Sequence, residues 1–175
     1  MIPRETIYLA LFALVTPLRA PGAVDGRPDG NGDAKAGTPT ADKPFNLVSR
    51  KVIEVQRVPP SLQPVLFMDE AFEEFIREGT GLVKRKWTVY FHVGATAQIG
   101  TASQTILNPL LDTLEAAVTP TDPDDSHKLG LEGPNNIIES AQFNGLAIKN
   151  LGGNSTDPNC GQAVCYVPYE IIFAR

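Results

Sequence analysis

The side chains able to do chemistry are few and scattered. Histidine occurs twice: His92 sits in an alternating apolar and polar stretch, and His127 lies in an acidic loop. Neither has a carboxylate or cysteine at the spacing that encloses a metal ion, so both read as structural. Cys160 and Cys165 lie five apart across a turn. That matches neither a CxxC redox pair nor a zinc ribbon, which needs two such pairs. They are expected to be free thiols, with Cys165 on the strand face of Val167, or a small disulfide if the chain ends outside a cell. Asp69, Glu70, Glu73 and Glu74 form the densest acidic cluster. A general acid and base could be imagined there, but no nucleophile or metal ligand accompanies them, and a solvated face accounts for them. GxSxG, Walker and strand-borne GxGxxG patterns do not occur, and Gly145, Gly152 and Gly153 sit among turn residues. The run DGNGD has calcium-loop spacing, but Ala34 stands where the turn glycine belongs and Thr40 where the bidentate glutamate belongs. Asn154-Ser155-Thr156 matches a glycosylation sequon. The expectation is a chain that is not an enzyme, with no catalytic residue, no cofactor and no metal.

The elements that position these residues point to assembly. Trp87, Val89, Phe91 and Val93 alternate with Lys86, Thr88, Tyr90 and His92, which predicts a strand with one dry and one wet face. A small-residue loop leads to Ile106, Leu107, Leu110, Leu111, Leu114, Ala117 and Val118, one apolar stripe of a helix that should pack on the sheet. Thr101 or Ser103 can cap its first turn, and Pro120 with Pro123 ends it. Arg4 ahead of the apolar stretch 7–15, with Ala20 and Ala23 after it, raises a signal peptide. Glu5, Arg19 and Pro21 oppose that reading. A domain helix explains more: Pro3 suits its first turn, Glu5 the positive end of its dipole and Arg19 its last turn, while Ile7, Leu11, Leu14, Val15 and Leu18 form a stripe.

Residues 21–43 turn abruptly to Gly, Pro, Asp, Ala and Thr and are expected to be an exposed, flexible insertion. Residues 45–55 read as a first strand, and Pro59, Pro60 and Pro64 precede a short apolar strand at 65–68. Residues 71–78 carry Phe72, Phe75 and Ile76 at helical spacing yet could equally be a strand leading into the turn at 79–81. Residues 121–134 read as a loop, 137–148 as a weaker strand and 150–159 as turn-rich. The last strand, 163–173, is apolar on both faces, and Pro168 requires a bend, a bulge or an edge position.

The chain of 175 residues is long enough for one domain with a proper core. Its net charge of −5 argues against a protein built to grip nucleic-acid phosphates, and Lys84, Arg85 and Lys86 read as a solvated strand start. No apolar run approaches the roughly 20 residues that span a bilayer.

The helix RETIYLALFAL, the stretch VPPSLQPVLFM, the strand KWTVYFHV followed by Gly94, the helix ILNPLLDTLEAAV followed by Pro120 and the closing strand QAVCYVPYEII, in this order, resemble tailed-bacteriophage tail-terminator and tail-completion (minor tail) proteins. The resemblance implies a single-domain α/β (α+β) fold over residues 1–175, with the N-terminal and central helices packed on a mixed or largely antiparallel sheet. It also implies a virion protein assembled in the bacterial host cytoplasm, a homo-oligomeric, hexameric ring that caps the tail tube and offers its upper face to head-tail connector proteins. No catalytic residue is carried over. The 21–43 insertion is longer than the family's short turn and could reach a neighbouring subunit, and the turn between Cys160 and Cys165 is a second departure. Ring assembly needs surface that becomes buried, and Tyr90 and His92 on the wetter strand face, with Tyr166, Tyr169 and Ile172 on the last strand, are the candidate interface residues. A head-tail joining or stopper protein of the neck is a close alternative. From a different class comes a secreted or periplasmic binding domain that loses its first 20 residues and pairs Cys160 with Cys165.

Overall fold

The computed structural model describes residues 3–24, 34–78, 82–97, 101–122, 125, 128–131, 138–145, 148–153 and 161–174. Helix α1 (Arg4–Val15) buries Ile7, Leu11 and Val15, spaced by four so that they line one face. It ends earlier than the apolar stripe suggests, because Thr16–Leu18 tightens into a 3-10 turn around Pro17. Arg19 therefore lies outside the helix, where its Nη2 donates to Val48 O at 3.1 Å. Helix α2 (Ser103–Val118) buries Leu107, Leu110, Leu114 and Val118, as its stripe requires. Its N-cap position is Ala102, and neither Thr101 nor Ser103 makes a side-chain cap.

The sheet contains β1 (Leu47–Ser49), β2 (Val65–Glu78), β3 (Leu82–Ala97), β4 (Ile138–Phe143), β5 (Ile148–Gly153) and β6 (Gly161–Ala174). Their order is β1-β2-β3-β6-β4, with β5 also on β6. Only β1 and β2 run parallel, so this α+β fold has a mixed, largely antiparallel sheet. Several boundaries differ from the sequence reading. Residues 71–78 continue β2 rather than starting a helix, with a bulge between Glu70 and Phe72. The first strand shrinks from 45–55 to Leu47–Ser49, because the chain then enters a 3-10 turn at Val55–Arg57. Gly152 and Gly153 belong to β5, paired with Gln162 and Gly161, and not to a turn. The insertion is tied down at both ends: Val24 and Lys35 exchange backbone hydrogen bonds, and Gly37 N donates to Asn46 Oδ1 at 2.9 Å. Its residues 25–33 lie outside the described residues.

Strand β6 is not an edge. It pairs with β3 from Ala97↔Gly161 to Lys84↔Ala174, and its other side carries β5 up to Tyr166 and β4 from Tyr169. Pro168 falls in the gap between these two short strands. Asn144 N donates to Pro168 O at 3.0 Å. The N–H and C=O of a strand residue project to the same side, so the donor that proline lacks is missing at the break.

Both helices cover one face of the sheet. Leu66, Met68, Trp87, Val89, Phe91, Val93, Val167, Tyr169 and Ile171 meet the helix stripes in the main core, and each large side chain so buried contributes about 1.5–3 kcal/mol. Cys165 is buried in this layer, as its alternation with Val167 requires. Cys160, His127 and the sequon at Asn154 lie outside the described residues. The opposite face carries a smaller core of Leu47, Val55, Val58, Val65, Phe67 and Val164, roofed by the turns at Val55–Arg57 and Pro60–Leu62. Three buried amides hold the roof: Gln162 Nε2 donates to Val55 O at 2.7 Å, Gln63 Nε2 to Val58 O at 2.9 Å and Asn46 Nδ2 to Gln63 O at 2.7 Å. The roof covers only one end of that face.

Candidate functional site

Beyond the roof, alternation places Asp69 and Phe72 of β2, Thr88, Tyr90 and His92 of β3, and Tyr166, Pro168 and Ile172 of β6 on one face, over which no helix lies among the described residues. His92 is registered against Tyr166 and Tyr90 against Pro168. The His92 and Tyr166 rings meet edge to face at 4.8 Å. Phe72 is 46% and Tyr166 36% exposed, while Tyr90, His92 and Ile172 are half-buried. Four of the five residues expected at an interface thus share this face.

Tyr169 does not. It is fully buried on the helix side, where its hydroxyl donates to Ala141 O at 3.0 Å and burial raises its pKa. It is a core residue with no surface to offer. The sequence carried the sign of this, because Tyr166 and Tyr169 are an odd number of positions apart and a continuous strand sends them to opposite faces. Phe72 was the residue sequence reasoning missed; its signal was a large aromatic side chain flanked by acids.

The charges around this face are largely matched. Lys86 Nζ lies 2.6 Å from Glu170 Oε1, and Lys84 Nζ 2.7 Å from Glu139 Oε2. Arg85 and Arg4 both meet Glu73 on the helix side of β2. The basic run 84–86 is therefore spent on neighbouring acids. His92 Nε2 stands 4.0 Å from Asp69 Oδ2, too far for a hydrogen bond to fix the ring for catalysis. Burial lowers the pKa of His92, with Asp69 opposing, so the ring is neutral at pH 7. Neither His92 Nε2 nor the buried Thr88 Oγ1 has a hydrogen-bond partner among the described residues. No three His, Cys, Asp or Glu residues converge as metal ligands among the described residues. A shallow depression of about 580 Å³ lined by Leu18, Asp42, Asp112, Thr113 and Ala117 belongs to the helix side. The open face has an aromatic centre, formed by Tyr90, His92 and Tyr166.

The lowered pKa of His92 gives a sign. The unfolded chain takes up a proton near pH 6.5 while the folded chain resists it, so stability is lost as pH falls through 6.5 toward the folded value. Urea unfolding from pH 7.5 down to pH 5 should show a shallower decline for His92→Gln than for the parent. Equal slopes would mean that His92 is not desolvated. No protein-family model matches this chain, and no curated protein matches it in sequence.

Proposed function

We propose that this chain is a structural protein of a tailed-bacteriophage virion, forming a homo-oligomeric, hexameric ring at the head-proximal end of the tail. There it terminates the tail tube and joins it to the connector proteins of the neck. The observation that carries this reading is the one-sided packing of the sheet: two helices bury one face, while Tyr90, His92, Tyr166 and Phe72 lie on the other. Such surface suits a subunit whose burial is completed by neighbours. The order of segments that resembles tail terminators supplies the rest. Among the described residues no helix is long and apolar enough to cross a membrane.

Electron microscopy of particles assembled with this gene disabled is the test. Overlong or headless tails are expected of a lost terminator. Filled heads beside free tails of normal length would assign the joining role instead, and normal infectious particles would remove the virion reading.

A further inference from the structure

Beyond the short β1, strand β2 forms the outer margin of the sheet, and most of that margin is open among the described residues. β1 pairs with β2 only from Leu47↔Val65 to Ser49↔Phe67. The next position is closed by α1, where Tyr8 Oη donates to Met68 O at 2.5 Å. From Asp69 to Glu78 no strand lies outside β2 among the described residues, although its inner side stays paired with β3 as far as Glu78↔Leu82. A long unpaired edge is a template for another strand unless something deters it.

The side chains on this edge select what can be added. Along the open face run Asp69, Phe72 and Glu74, an acid, an aromatic and an acid; Glu70 and Phe75 project on the other side. Glu73 already serves Arg4 and Arg85. Asp69 stands 4.0 Å from neutral His92, and Glu74 lies across from Lys86, whose ammonium is held chiefly by Glu170. Phe72 and Phe75 are 46% and 59% exposed. Exposed acids thus alternate with exposed aromatic rings along a ladder that no strand uses among the described residues. An antiparallel second copy of β2 would set this acidic stretch against itself, and like charges directly opposite one another destabilise a pair of strands.

We propose that the outer edge of β2 over residues 69–78 accepts an extended cationic segment of another protein as an added strand, with basic side chains opposite the acids and an apolar one against Phe72. Backbone hydrogen bonds would hold the segment, and the acids would choose it. The site is independent of the virion reading, because it can be tested on the purified protein alone.

The experiment measures binding of short labelled peptides to the full chain. One peptide alternates lysine with valine, a second is the same peptide N-methylated on alternate amides, and a third alternates glutamate with valine. The lysine peptide should bind and protect amides of residues 69–78 from hydrogen exchange. N-methylation should weaken binding about tenfold or more by removing ladder donors, and the glutamate peptide should not bind. Combined Asp69→Asn, Glu70→Gln and Glu74→Gln, all at exposed positions, should weaken the lysine peptide by about tenfold with an unchanged circular dichroism spectrum. Equal binding of the N-methylated peptide would reduce the effect to charge attraction and overturn the proposal. So would protection appearing elsewhere, or a triple variant that binds as the parent does.

Discussion

Phe91→Ala is expected to destabilise the chain by about 3–5 kcal/mol, a large fraction of the roughly 5–15 kcal/mol that holds an ordinary domain folded. Phe91 is fully buried at the middle of β3, registered between Met68 and Val167. Its ring packs edge-on against Tyr169 at 5.9 Å and Phe143 at 6.1 Å, and those two meet at 5.3 Å. Truncation opens a cavity where three strands converge, and both remaining rings lose a favourable edge contact worth about 0.5–1.5 kcal/mol each. Phe91→Leu keeps most of the volume and should cost much less. Chemical denaturation would read this as a fall in midpoint at constant slope. A loss below about 1 kcal/mol would mean that the three rings do not pack together.

The second large effect sits at Gly94. Val55 lies on the bare backbone of β3 there: a Cβ at Gly94 would come within 2.0 Å of Val55 Cγ1 and 3.1 Å of Val55 Cβ. Gln162 Nε2 pins the Val55 carbonyl, so the roof cannot simply slide away. Gly94→Ala should therefore cost about 1–3 kcal/mol by overpacking, and Gly94→Val should lift the roof from the smaller core. Val55→Ala alone should cost about 1–3 kcal/mol of lost burial. Because it also removes the methyl that collides, the double variant should fall short of the sum by about 1 kcal/mol or more. Strict additivity would place the Val55 turn elsewhere.

These two sites also mark how much of the fold was legible. Phe91 belongs to an alternation imposed by a dry face, and where the core dictated the period the sequence revealed it: α2, β3 and β6 lie where their patterns put them, and α1 does as far as Val15. The outer half of β2 escaped because no core lies against it. With both sides partly in water and a bulge at residue 71, Phe72, Phe75 and Ile76 could fall at helical spacing without penalty. β5 escaped because its glycines read as turns, whereas in the fold they pair with Gln162 and Gly161. The roof over Gly94 rests on Asn46, Gln63 and Gln162, polar residues far apart in the chain whose burial no local pattern announces. On the open face, Tyr90, His92, Tyr166 and Ile172 were legible from alternation, and Tyr169 was misassigned by a parity that the sequence itself contained.

Pro168 gives the sheet a direction of growth. On the far side of β6 the ladder is divided between β5 and β4, whereas the near side ends in the single long strand β2, bulged between Glu70 and Phe72. A strand arriving at the far margin finds two short lengths, Ile148–Gly153 and Ile138–Phe143, each too brief to seed a long partner. Among the described residues the two margins of the sheet are therefore unlike, and the break at Pro168 in β6 marks the difference.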